Sequence, residues 1–170
     1  MNRYELQSGI LRICDEELGI DLNEPYDSSK FSMQKEPKGE GVYHLFCLLK
    51  DQLHGPSIFY DSKGTILSSS WYYQGARIGK VRQYYPTGIL YATLGFKGGK
   101  REGEHRYYYP NGAIRTLMHY TEGSLDKEIT LYWPNGQKKR HLYLFLGKKQ
   151  GMESFWDESG KLVKEISHAS

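Results

Sequence analysis

Arg77, Lys80, Arg82, Lys97, Lys100 and Arg101 stand close together in a stretch that is also rich in tyrosine, and this pairing is the chain's best hint of chemistry. Cations interleaved with aromatic rings can hold anions: a carboxylate-rich protein surface, lipid headgroups, or the phosphates and bases of nucleic acid. The plain reading, a solvated face that aids solubility and deters edge pairing, takes precedence. Among ligands, an acidic protein partner ranks first, anionic membrane lipid second and nucleic acid last. The charge distribution supplies the context. Residues 1–41 carry five Lys/Arg against nine Asp/Glu, and residues 77–149 carry 14 against five, although the net charge is only +3. The acidic N-terminal segment can itself lie against the basic middle, which would make the patch intramolecular.

Other chemistry is poorly served. His54, His105, His119 and His141 have no local ligand spacing, and a metal site needs three or four convergent ligands. Cys14 and Cys47 are expected as free thiols in a reducing compartment rather than as a disulfide. Ser68-Ser69-Ser70 is a strand segment of small residues, and the chain holds no Gly-Xaa-Ser-Xaa-Gly elbow. Nothing selects a pair of carboxylates. The expectation is a chain without enzymatic activity, metal or cofactor. Its start lacks the apolar core of a signal peptide, and no run approaches the ~20 apolar residues of a membrane-crossing helix. A cytoplasmic protein is expected, with signal-independent secretion left open.

The elements that must position these residues are written in glycine. Gly64, Gly88, Gly112, Gly136 and Gly160 recur with a step of 24 residues, and Gly75, Gly99, Gly123 and Gly147 keep the same step. A third series runs through Gly55, Gly79, Gly103 and Gly151, with Lys127 as its one exception. Three phase-locked series mean a tandem repeat. In the clearest unit, two β-prone stretches flank Pro110-Asn111-Gly112, and Asn-Gly suits a tight reversal between antiparallel strands. A second turn follows at Glu122-Gly123. Each unit is therefore strand, turn, strand, turn, and repetition gives an antiparallel meander. Tyr60, Tyr84, Tyr108, Tyr132 and Trp156 precede the turn glycines by four residues, and Tyr72, Phe96 and Tyr120 follow them by eight. These columns are expected to stack as the core. The tyrosine surplus, 15 in all, makes that core one of large amphipathic rings.

Residues 1–37 do not fit the period. Tyr4, Leu6, Ile10, Leu11, Ile13, Cys14 and Leu18 approximate a helical stripe, weakened by Gly9 and stopped at Gly19. Asn23 to Lys38 reads as a connector. The expected organisation is an N-terminal helix and connector over 1–37 that caps the first strand, a repeat array over 38–163 and a tail over 164–170.

Gly103 to Gly112, with its Tyr108-Tyr109-Pro110-Asn111-Gly112 hairpin and the following Gly123, resembles the MORN repeat in its bacterial variant form, and the likeness covers roughly 38–163. The resemblance implies an elongated, twisted antiparallel sheet with little core beyond stacked aromatics. It further implies a protein-interaction scaffold, a peripheral membrane adaptor, or an antitoxin that neutralises a partner toxin. Homodimerisation through a sheet edge or end belongs to the same expectation. Gly112→Val is expected to destabilise the chain strongly, because a β-branched residue resists positive φ. Thermal melts followed by circular dichroism check it: a helical spectrum, or a variant as stable as the parent, counts against the meander.

Overall fold

The structure, a computed structural model, describes residues 1–169 and is built almost wholly of antiparallel strands. Strands β1 (Arg3–Gln7), β2 (Ile10–Asp15) and β3 (Ile20–Pro25) form a small sheet of their own. After a 3-10 turn at Ser28–Lys30 the main sheet begins with β4 (Phe31–Gly39), β5 (Val42–Leu49), β6 (Gln52–Asp61), β7 (Ile66–Tyr73) and β8 (Ala76–Tyr84). It continues through β9 (Leu90–Lys97), the two-residue β10 (Lys100–Arg101), β11 (Gly103–Tyr108), β12 (Ile114–Thr121) and β13 (Ser124–Tyr132). β14 (Lys138–Phe145), β15 (Lys148–Trp156) and β16 (Leu162–His168) complete it. Strands adjacent in sequence lie adjacent in space from β4 to β16, with β10 paired only to β9, and the sheet does not close. Among the described residues no helix is long and apolar enough to cross a membrane.

The N-terminal helix expected from the sequence is absent: that stretch is the three-stranded sheet. Gly9, which weakened the helix, is its first turn, where Ser8 and Gly9 take φ of +51° and +76°. The apolar residues alternate strand by strand, so Leu11 and Ile13 share one face, and two short period-2 patterns had imitated a longer helical one. The expected connector also holds β4, an edge strand whose Lys35, Pro37 and Lys38 are the usual edge-protecting residues. At the other end β16 carries the main sheet to His168.

Each glycine series marks a place where the backbone turns left-handed. Gly64, Gly88, Gly112, Gly136 and Gly160 have φ between +84° and +87° at the first turn, and Gly75, Gly99, Gly123 and Gly147 lie between +76° and +89° at the second. Gln74, Glu122 and Leu146, just before three of the latter, are also positive, as two-residue type I′ reversals require. The third series is neither turn. Ser69 pairs with Arg82 and Trp71 with Ile78, so Ser70 of β7 spans three residues of β8, starting with Gly79 at φ +77°. This is a bulge inside the strand. Lys127 adopts φ +66° at the same place in β13, which explains why its neighbours in the series are glycine.

The expected ring columns are less enclosed than anticipated. Phe96 and Tyr120 are buried at 7% and 8% exposure. Tyr72, Tyr60, Tyr84, Tyr108, Tyr132 and Trp156 are only half-buried, because one sheet layer leaves most of each face to solvent. A column not anticipated from sequence ties the units together. Tyr85 and Tyr109 donate their hydroxyls to the carbonyls of Tyr108 and Tyr132 at 2.8 and 2.9 Å, and the Trp133 indole donates to Trp156 at 3.0 Å.

A lysine in left-handed backbone costs about 1–2 kcal/mol. Lys127→Gly is therefore expected to stabilise the chain by about 1 kcal/mol after the extra chain entropy of glycine is charged against it. Differential scanning calorimetry reads this as a higher melting temperature, and an unchanged or lower one contradicts strain at this bulge.

Candidate interaction surface

The small sheet lies on one face of the main sheet and divides the basic cluster. Leu11, Ile13, Leu18 and Ile20 form a buried cluster with Tyr4, Leu6, Trp71, Tyr73 and Ile78 against it. Tyr4 packs where a side chain on Gly79 would stand, Leu6 approaches Gly55 to 3.2 Å, and Leu18 approaches Gly103 to 2.7 Å, each distance taken from where a Cβ would be. The bulge glycines are thus dents that receive knobs. Polar contacts fix the orientation. The Tyr4 hydroxyl donates to Asp15 and accepts from the Lys80 backbone N–H, and the Lys80 ammonium pairs with Glu17 at 2.5 Å. Burial, reinforced by the Asp15 carboxylate, pushes the Tyr4 phenol well above its ordinary pKa. Lys97 donates to the Gly19 carbonyl at 3.0 Å. The acidic segment does lie against the basic middle, but over its inner strands rather than over the first one. Lys80 and Lys97 are occupied by it.

Arg77 and Arg101 stand on the opposite face. Trp71 and Ile78 point to the small sheet, so Tyr72 and Arg77, adjacent to them and in register with each other, point away. Arg77 donates to the Tyr72 hydroxyl at 3.0 Å with its guanidinium 4.9 Å from the Phe96 ring centre. Arg101 donates to the Tyr120 hydroxyl at 2.9 Å and lies 5.1 Å over that ring. Arg115 repeats the arrangement with the Tyr91 hydroxyl at 3.1 Å, stacked over Tyr91 and Tyr107. These rings flank the buried cluster of Val81, Ala92, Leu94 and Phe96. Among the described residues none of the three guanidiniums has a carboxylate within salt-bridge distance. Lys100 is exposed at the adjoining turn, whereas Arg82 shares the small sheet's face with the Arg106–Glu104 pair. Arg115 had not been singled out from sequence. It lies one repeat beyond Tyr91, and its partner becomes visible only once the strands are paired.

Two further charges of the basic stretch are neutralised. Arg140 and Lys149 both reach Glu153, which is 1% exposed and also bonded by His168 at 2.7 Å. Burial raises the pKa of Glu153, but hydrogen bonds from His168, Lys149 and Arg140 outweigh it and bring the value to about 2. The cluster anchors the last strand. Among the described residues no group of three or more His, Cys, Asp or Glu is arranged to hold a metal, and both cysteines are free thiols.

The repeat geometry meets known proteins at two places. Residues 101–122 and 149–169 match the MORN repeat variant. Each MORN segment is centred on one hairpin, β11–β12 and β15–β16, with its glycine turn at Gly112 or Gly160. The match assigns no toxin–antitoxin role. No curated protein matches the chain.

His105 beneath this face is fully buried between Phe96 and Tyr120, with Nε2 3.0 Å from the Gly95 carbonyl and Nδ1 unpartnered. Burial lowers its pKa from 6.5 to about 4. Between those values the unfolded chain takes up a proton that the folded chain refuses, so stability present above pH 6.5 falls as the solution is acidified. The expected loss is roughly 2 kcal/mol at about pH 5. Urea unfolding at neutral and acid pH reads it, and His105→Gln should remove that part of the slope. An equal slope in the variant refutes the assignment.

Proposed function

We propose that the chain is a non-enzymatic protein-interaction module that takes an acidic protein partner on the arginine-bearing face. One observation carries this reading: Arg77, Arg101 and Arg115 are held over aromatic rings by tyrosine hydroxyls, without carboxylate partners. A guanidinium fixed in this way has lost much of its rotamer freedom before binding and keeps N–H donors for a carboxylate. Arginine and tyrosine are also the residue types on which interface energy concentrates. MORN repeats are commonly protein- or membrane-binding modules, and the matched segments agree with the reading at that level.

The test uses the full chain and its Arg77→Ala, Arg101→Ala, Arg115→Ala triple variant. Affinity purification from native cells with mass spectrometry should recover an acidic protein with the parent at low salt. Recovery should fall by at least about tenfold with the triple variant, equivalent to about 1.4 kcal/mol. The complex should form without lipid. Equal recovery by both chains, or binding only to phosphatidylserine-rich vesicles in flotation, rejects the protein-partner reading.

A further inference from the structure

The docked small sheet defines a footprint in repeat coordinates: Trp71 and Tyr73 on β7, and the dent at Gly79 on β8 that receives Tyr4. Three steps of 24 residues forward, the same positions are Tyr143, Phe145 and Gly151. They lie on the same face. Arg82, Thr93, Arg106, Leu117, Thr130 and His141 form one continuous register row across the sheet, and Ser69 adjoins it at the near end. Trp71 and Tyr73 alternate from Ser69, as Tyr143 and Phe145 do from His141, so both pairs point to one side. At the far copy the footprint is bare. Tyr143, Phe145 and Met152 are 44%, 52% and 48% exposed, and a side chain on Gly151 would meet nothing within 4 Å.

The differences between the two copies select the occupant. One repeat before Gly79, Leu6 sits over Gly55; one repeat before Gly151 the dent is replaced by Lys127. Lys148, in register with Phe145, adds a second exposed cation, and the one acid among the described residues in register with the footprint, Glu128 opposite Tyr143, lies 3.8 Å from the His141 ring. Among the described residues neither lysine has an acidic partner. The sheet that covers the first footprint is itself acidic, with six Asp/Glu against two Lys/Arg in residues 1–25. We propose that the uncovered footprint docks an acidic β-hairpin of a partner protein, which inserts a tyrosine over Gly151, stacks on Tyr143 and Phe145, and places a carboxylate against Lys127. This rests on the interaction reading above, yet it uses the face opposite the arginines, so each can fail without the other.

The probe is a head-to-tail cyclised hairpin of Arg3–Asp15 carrying Leu6→Glu, titrated into the full chain and followed by amide and methionine-methyl NMR. Shifts should map to Tyr143, Phe145, Gly151 and Met152. Affinity should drop about tenfold in Phe145→Ser, in Lys127→Glu, and when the probe carries Tyr4→Ala. It should be unchanged in the Arg77, Arg101, Arg115 triple variant, which separates this site from the arginine face. Shifts confined to Trp71, Tyr73 and Gly79 would mean displacement of the resident sheet, and the proposal falls. The same follows if no shifts arise up to about 1 mM probe, an affinity too weak for a docking site. Sedimentation velocity adds a last arm: dimerisation of the full chain that Phe145→Ser abolishes assigns the patch to a second copy instead.

Discussion

Three excursions into left-handed backbone per 24 residues govern everything else in this chain. Two of them reverse the strand, and because both keep the same spacing, each new strand arrives in the register of the last. The third does not reverse anything. It inserts extra residues into one strand, bends it, and leaves a place on the sheet surface where no side chain stands. That dent is what Tyr4, Leu6 and Leu18 occupy, so the docking of the N-terminal sheet depends on the same conformational demand that sets the repeat length.

A single sheet layer cannot bury its residues the way a sandwich does. The chain meets this by giving each face a different cover. On one side the N-terminal sheet supplies the missing second layer over the middle strands, with Leu11 and Ile13 wholly enclosed. On the other, guanidinium groups roof the rings of Tyr72, Phe96, Tyr91, Tyr107 and Tyr120. An arginine over a ring shields apolar surface while its edge stays wet. Buried acids are held by donors: Glu153 has three charged or ionisable donors around it, and Asp15 accepts from the Tyr4 hydroxyl and the Leu18 N–H.

The repeat and its turns were legible because glycine is demanded by φ, a local property that leaves its mark at fixed positions. Lys127 was legible as an exception, though not as a strained one. The N-terminal sheet was not legible: strands of five and six residues alternate too briefly to be told from a helical stripe, and they lack the 24-residue glycine spacing that reveals the main sheet. The division of the basic cluster between two faces was hidden for a related reason. Arg77, Lys80, Arg82, Lys97, Lys100 and Arg101 are near in sequence, but neighbours along a strand point to opposite faces. Lys80 thus meets Glu17 while Arg77 stacks on Phe96. Tyr85, Tyr109 and Trp133 escaped notice because their partners lie 23 residues ahead, across a strand pair.

That relay of side chains also has ends. At the position held by Tyr85, Tyr109 and Trp133, the flanking units carry Asp61 and Asp157. Each aspartate turns its carboxylate inward to its own loop, accepting from Lys63 and Thr65 N–H in one case and Ser159 and Lys161 N–H in the other. The interior units are clasped to their successors, and the outer ones are closed on themselves. The sheet itself runs on past both acids, through β5 and β4 on one side and β16 on the other. Exchange of an outward-reaching ring for a short acid therefore bounds the clasp between units and leaves the strand ladder to hold the flanks alone.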